Sequence, residues 1–357
     1  MKSSRVLVAM SGGVDSSVAA AILKESGCEV IGATMKIWPK EMCGQEKEKS
    51  CCSLKDIEDA RAVSRKLGIR HYVLNLEADF RKNVIDYFTE EYLSARTPNP
   101  CIVCNEKIKF GSLLKKANGL DCDFIATGHY ARIETDGSPR LRESRDKSKD
   151  QSYVLFCLKK NQLKKILLPI GDLTKKEVRG KARELGLSVH DKPDSQEICF
   201  VPDNDYPEFI KKYKGILPQK GDIIDTSGRV LGAHNGFWNF TIGQRRGLGI
   251  AASAPLYVTE IRPDNIVVVG YAEDVKKKRF TVKDVNWLTD DAKDKKDFKV
   301  KIRYNHKKAQ ATIKDVGKNK VEVVFKEAQN AITPGQAAVF YDGEYVSGGG
   351  WIDKTFN

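Results

Sequence analysis

Ser11-Gly12-Gly13-Val14-Asp15-Ser16-Ser17 is the stretch whose residue types are best suited to chemistry. It follows the apolar run RVLVAM (5–10) and opens VDSSVAAAILKESG (14–27), which has helical spacing and a glycine stop. Glycines at the end of a buried strand permit positive φ and let backbone come close to a ligand. N–H groups at the start of the next helix converge on one spot and favour an anion. Ser11, Ser16 and Ser17 add hydroxyls, and Asp15 suits a Mg2+ ion bridging phosphate oxygens. The turn therefore reads as a phosphate loop. It lacks the Gly-Lys-Ser/Thr ending of a Walker loop, and it is not the GxGxxG of dinucleotide binders.

The loop resembles the SGGxDS loop of the ATP pyrophosphatase (PP-loop) superfamily, whose members grip the pyrophosphate of ATP and transfer AMP to an acceptor oxygen. That resemblance implies ATP contacts from Ala9 and Met10 through Ser11, Gly12, Gly13, Val14, Asp15, Ser16 and Ser17. Met35, at the end of a second strand, is expected beside adenine. Gly128, in ATGHYAR (126–132), would allow another close approach to phosphate. His129 divides evenly between a site role and a satisfied framework histidine.

The second chemical group is thiol. Cys101 and Cys104 stand in TPNPCIVCNEKIKF (97–110), between a rigid Pro-Asn-Pro and a helical run, where a thiol ionises more readily. Cys199 lies far off in KPDSQEICFVPDN (192–204). Structural zinc needs four ligands, and neither a second CxxC nor a His-x3-His is present. A thioredoxin-like pair belongs in its own small domain. Three thiolates can hold a 4Fe–4S cluster with one iron open. Alternatively, one cysteine carries sulfur as a persulfide and another resolves it. Spacing leaves the last two readings open. Cys43, Cys51 and Cys52 sit in a polar segment and read as incidental, while Cys28, Cys122 and Cys157 read as core.

These residues need a scaffold. The first 130 residues alternate strand and helix patterns: CEVIGATMKI (28–37), DIEDARAVSRKLG (56–68), HYVLNL (71–76), DFRKNVIDYFTEEYLSAR (79–96), NEKIKFGSLLKKANG (105–119) and CDFIATGHYARI (122–133). Such alternation predicts a parallel sheet with helices on both faces. From about residue 215, short alternating runs with turn residues predict small antiparallel sheets or a barrel, with AEDVKKKRF (272–280) as a linker. The fold class is α/β: a PP-loop domain over 1–205, a β-rich central domain over 206–275 and an antiparallel β-barrel over 276–357.

Length suits two or three domains. The chain has 61 Lys+Arg against 48 Asp+Glu, a net charge of +13, which favours a polyanionic partner such as nucleic acid. No apolar run approaches the ~20 residues that span a bilayer, so no membrane partner is expected. The N-terminus has no signal core, which implies a cytoplasmic location with reduced thiols.

SGGVDSS, TPNPCIVCNEKIKFG, ATGHYAR, KDQSYVLF, LTKKEVRGKARELGL, DSQEICF and FTIGQRRGLGI occur in this order along the chain. Together they resemble the tRNA-specific 2-thiouridylase family (MnmA type). The resemblance implies ATP-dependent adenylation of the C2 carbonyl oxygen of the wobble uridine, in the anticodon stem-loop of tRNA, followed by sulfur transfer. It implies Cys199 as the persulfide carrier and Cys104 as the nucleophile. Asn99, Pro100 and Cys101 would border the target base. Lys149, Asp150 and Gln151, with Arg303 and Tyr304 in KIRYNH (301–306), would contact tRNA. A cysteine desulfurase or relay protein would supply sulfur. Many members carry aspartate where Cys101 stands. The change completes an all-thiolate trio of Cys101, Cys104 and Cys199, like that of related thiolases that bind a 4Fe–4S cluster. Residues 134–150 are expected to be mobile without tRNA. Two other readings are a PP-loop ligase acting on a small molecule and a non-catalytic RNA-binding or iron–sulfur carrier protein.

Overall fold

The computed structural model describes residues 4–37, 54–194 and 198–356; Cys43, Cys51 and Cys52 lie outside them. The chain forms two compact units. The first comprises Met1–Val84, Cys101–Phe200 and Glu344–Val346, the second Ile85–Pro100, Val201–Gly343 and Ser347–Asn357.

The first unit begins with β1 (Arg5–Ala9), α1 (Val14–Glu25), β2 (Glu29–Lys36), α2 (Leu54–Leu67) and β3 (Arg70–Asn75). β1 is buried from Val6 to Ala9, as a strand covered on both faces must be. Next in the chain, α3 (Glu77–Phe80) runs through a π-helical turn (Arg81–Ile85) into α4 (Asp86–Leu93). A second mixed helix is built the same way: α5 (Pro100–Val103), a π-helical stretch (Cys104–Ser112) and α6 (Leu113–Asn118). Proline at the first position suits a helix start, because its missing N–H has no partner there anyway. Cys101 and Cys104 therefore lie inside the helix, not ahead of it.

Then come β4 (Phe124–Thr127), β5 (Ala131–Glu134), β6 (Arg140–Glu143), α7 (Lys160–Leu163), β7 (Ile166–Leu167) and α8 (Lys175–Glu184). The parallel sheet has the order β3-β2-β1-β4-β7. Growth of the sheet reverses between β1 and β4, so the loops after these strands share the crevice where open α/β sheets bind ligands. Val6, Val8, Val18, Ala20, Val178 and Ala182 form the core under that crevice.

CDFIATGHYARI is not one strand. It breaks at Gly128-His129-Tyr130, and β5 turns away to pair with β6. The segment expected to be mobile without tRNA, 134–150, forms a hairpin and a compact turn. Arg142 pairs with Glu134 and Glu344, Tyr345 takes the register position opposite Arg142, and Ser144 N–H donates to Asp150 Oδ1 at 2.9 Å.

In the second unit, α9 (Tyr206–Lys214) docks on α4 through Phe209 against Phe88 and a 2.8 Å bond from Tyr213 to Asp86. β8 (Gly221–Asp225), β9 (Val230–His234), β10 (Tyr257–Arg262) and β11 (Ile266–Gly270) form a four-stranded sheet. The remaining strands are β12 (Lys276–Trp287), β13 (Asp297–Lys301), β14 (Ala309–Gly317), β15 (Lys320–Asn330), β16 (Ala337–Asp342) and β17 (Tyr345–Phe356), and β12 pairs with β17 to close a barrel. Closure removes the open edges that invite aggregation. The linker reading of 272–280 is thus half wrong. Lys276–Phe280 open the barrel's first strand, their charges facing outward while Phe280 points in.

Phe340 is fully buried in the barrel, 5.5 Å from the Trp287 ring and 6.2 Å from Phe298. Phe340→Ala should destabilise this unit by about 3–5 kcal/mol. A lowered urea midpoint with unchanged slope is the expected readout; an unshifted midpoint would show that the barrel repacks.

Candidate active site

Gly12 has φ +70°, and a Cβ there would lie 2.3 Å from the Asp56 carbonyl oxygen in α2. Both demands exclude a side chain. Gly13 takes the N-cap position of α1 in extended conformation and makes no side-chain cap. The Ser16 and Ser17 hydroxyls bend back to the Gly13 carbonyl at 3.2 and 2.8 Å, and the Ser11 N–H donates to Ser16 Oγ at 3.2 Å. A helix start left uncapped in this way keeps N–H donors that an anionic group can take. Ala9, Met10 and Val14 are buried. The Met10 thioether packs by Ser64 Oγ, so only backbone at these positions can face the loop. Met35 is half-buried at the end of β2.

Gly128 has a protein-side reason to be glycine. Its Cβ would meet Ser16 N at 2.6 Å, so the loop after β4 presses directly on the phosphate loop. His129 is buried. Burial, with Lys109 nearby, pushes its pKa well below the usual value. Lys109 Nζ lies 3.3 Å from Nε2 and an ammonium only donates, so Nε2 accepts and Nδ1–H donates to Thr127 Oγ1 at 2.7 Å. This is the framework role.

Tyr130 then enters the site, its hydroxyl donating to Asp15 Oδ1 at 2.7 Å. Gln151 holds Tyr130 from both sides: Oε1 accepts the Tyr130 N–H at 2.9 Å, and the Gln151 N–H donates to the Tyr130 carbonyl at 2.7 Å. Asp150 is buried and accepts from Ser144 N and Ser152 Oγ. Its carboxylate therefore faces protein. Lys149 donates to Asp194 Oδ2 at 2.8 Å.

Charged residues that sequence reasoning missed complete the site. Lys175 Nζ, at the start of α8, lies 2.8 Å from both Asp15 oxygens and 2.8 Å from Asp194 Oδ1. Arg179 reaches Asp194 Oδ1 at 3.2 Å. Burial raises the Asp194 pKa, but bonds from Lys149 and Lys175 outweigh it and hold it at about 2. Lys192 donates to Gly12 O at 3.0 Å and to Asp56 and Asp59 at 2.6 Å each, fastening the loop to α2. LTKKEV and KPDSQ are recognisable as motifs, yet nothing local in them says which carboxylate each lysine meets.

Cys101 is exposed, and Cys104 and Cys199 are half-buried. α3 packs on the π stretch that begins at Cys104, and Phe200, beside Cys199, sets its ring edge-on to Phe80 of α3 at 5.7 Å. Cys157 is buried, with Sγ 3.5 Å from the Ile102 carbonyl. In the second unit, Gln336 Nε2 donates to the carbonyls of Thr97 and Pro98 at 3.0 Å, steadying the approach to Asn99 and Pro100. Arg303 donates to the Ile242 carbonyl and the Thr333 hydroxyl, an internal strut. Tyr304 is exposed, with Lys301 Nζ 5.4 Å from its ring centre.

Family models match in three blocks: a tRNA methyl transferase HUP domain over residues 4–203, a tRNA methyl transferase PRC-barrel domain over 207–271 and an aminomethyltransferase beta-barrel domain over 277–352. The tRNA-specific 2-thiouridylase MnmA of Carboxydothermus hydrogenoformans is 52% identical over 357 residues, covering 98% of each chain. Its namesake in Clostridioides difficile is 50% identical over 356 residues, again 98% of each. This chain belongs to the tRNA-specific 2-thiouridylase family. A 4-thiouridine synthetase–RNA complex aligns over 58% of this chain and 50% of that one, at 18% identity and a TM-score of 0.35, so the assignment rests on the full-length relatives.

One of the two readings of the cysteines gains nothing from the structure of this thiouridylase-family chain. Among the described residues, no group of three or more His, Cys, Asp or Glu side chains converges to hold a metal ion. The 4Fe–4S reading of Cys101, Cys104 and Cys199 therefore finds no support among them. Among the same residues, no helix is long and apolar enough to cross a membrane.

A histidine kept neutral by the fold has a depressed folded pKa, so the unfolded chain takes up a proton first as pH falls. Stability should therefore hold above the unfolded value of about 6.5 and decline below it by up to about 1.4 kcal/mol per pH unit. Urea midpoints measured from pH 8 to 5 should fall less steeply for His129→Gln than for the parent. Equal slopes would mean that His129 is protonated in the fold.

Proposed function

We propose that this chain is an ATP-dependent tRNA 2-thiouridylase acting on the wobble uridine of the anticodon. Kinship of about 50% over nearly the whole length with curated 2-thiouridylases carries the reading. The uncapped glycine turn at the switch point of the sheet supports ATP as cosubstrate. A +13 net charge supports a nucleic-acid substrate, and binding should weaken steeply with salt.

The uridine C2 oxygen is a poor leaving group until it attacks the α-phosphorus of ATP and releases pyrophosphate. Sulfur from a Cys199 persulfide then adds at C2, and the C2–O bond breaks to expel AMP. The Cys104 thiolate attacks Cys199 Sγ, forming a Cys104–Cys199 disulfide and leaving the second sulfur on C2. A thiol reductant restores both cysteines. The backbone of Gly12 to Ser17 would hold the phosphates. Asp15 offers an oxygen ligand of the kind Mg2+ takes beside phosphates, and the ion would neutralise charge building on pyrophosphate. Asn99, Pro100 and the exposed Cys101 would border the base, and Tyr304 would offer a stacking face. Sulfur would come from a cysteine desulfurase or a relay protein, in the cytoplasm.

The test is 2-thiouridine formation on unmodified tRNA with ATP, Mg2+ and a desulfurase, scored by nucleoside mass analysis. Cys199→Ser and Cys104→Ser should each lose at least about 100-fold in rate. ATP cleavage to AMP and pyrophosphate should survive in Cys199→Ser. Full thiolation by either variant would overturn the cysteine roles.

A further inference from the structure

The sulfur chemistry set out above uses Cys104 and Cys199 and leaves the exposed Cys101 thiol without a step of its own. Pro100–Val103 is α-helical, and Val103 keeps right-handed helical dihedrals into Cys104, so Cys101 and Cys104 stand one turn apart. Helix geometry then puts them about 60° apart around the axis, with their Cα atoms about 5 Å from each other. A disulfide takes Cα separations of roughly 4.4–6.8 Å. Ile102 and Val103 are buried, which leaves Cys101 and Cys104 together on the outer face of this turn. Their proximity is thus built into one helix. Cys199 is held by tertiary packing instead, through the buried Phe200 ring set edge-on to Phe80. Cys157 also approaches this turn, its Sγ 3.5 Å from the Ile102 carbonyl, but burial pushes its pKa well above the usual thiol value. A thiol kept protonated is a poor nucleophile, so Cys157 does not compete.

Resting on the persulfide route proposed above, we propose that Cys101 is its resolving thiol: it takes the disulfide off Cys199 and presents it at the surface for reduction. Cys101 gives its proton to solvent, and the thiolate attacks Cys104 Sγ. The Cys101–Cys104 bond forms as the Cys104–Cys199 bond breaks, and Cys199 departs with the electron pair, ready for the next sulfur. The exchange itself moves no net electrons. A dithiol reductant then attacks the exposed Cys101 Sγ, is oxidised to its own disulfide and returns Cys101 and Cys104 as thiols.

Disulfide mapping after one turnover tests this. The full-length protein is loaded with persulfide by a cysteine desulfurase, freed of desulfurase and small thiols, and given Mg-ATP and unmodified tRNA. Acid quenching, alkylation and peptide mass analysis locate the disulfide, and nucleoside mass analysis counts 2-thiouridine. The parent should pass through Cys104–Cys199 and end with Cys101–Cys104 in about tenfold excess. Cys101→Ser should stop at Cys104–Cys199, and thioredoxin, as the dithiol, should reduce it at least about tenfold more slowly than it reduces the parent. A parent that forms 2-thiouridine and stays at Cys104–Cys199 overturns the proposal and leaves the persulfide route standing. So does a Cys101→Ser disulfide that thioredoxin clears at the parent's rate. A parent that thiolates tRNA with Cys101, Cys104 and Cys199 all free, or that forms no 2-thiouridine, overturns the persulfide route, and this inference with it.

Discussion

Gly128 lies so close to the backbone of Asp15 and Ser16 that a single added carbon would sit 2.6 Å from Ser16 N. That approach joins the loops after β1 and β4, the two strands flanking the reversal of the sheet. It also sets the register of the chain beyond it. Two residues on, the Tyr130 hydroxyl meets Asp15, and Gln151 clamps the Tyr130 backbone. Remote stretches thus meet at the phosphate loop through a contact that has no side chain on the Gly128 side.

Charge does the rest of the positioning. Asp194 collects three cations, and its pKa of about 2 keeps it ionised at any physiological pH. Lys149, Lys175 and Arg179 are therefore oriented by one anion. Exposed ion pairs contribute little, but these are partly buried, and removing one partner leaves the others uncompensated. The chain as a whole carries a +13 surplus; at the loop its cations are paired and aimed.

Much of the fold was legible because it is written in local periodicity. SGGVDSS follows an apolar strand and opens a helix, and those neighbours suffice to predict the loop. The hairpins β14–β15 and β16–β17 likewise announce themselves: Lys318 and Asn319 take positive φ at one turn and Gly343 at the other. Failures came where a long-range partner decides. CDFIATGHYARI has unbroken strand character, yet the close approach at Gly128 cuts it in two. Asp150 looks like an exposed acid in a polar run, yet two serines bury it. Lys175 and Asp194 are 160 and 179 residues from Asp15, and no pattern in the chain pairs them.

The π-helical stretch from Cys104 to Ser112 sets a constraint of another kind. A π turn holds more residues than an α turn, so the stretch stores surplus chain within a continuous helix. Each residue of an α-helix accounts for about 100° of rotation. Substitutions there can keep the hydrogen-bonding pattern, but deleting one residue would relax the surplus and swing α5, with Cys101, and the Cys104 that follows it, about the axis. Across descendants of this gene, the spacing between the thiols and Phe110 should therefore resist insertion and deletion more stubbornly than the intervening side chains resist exchange.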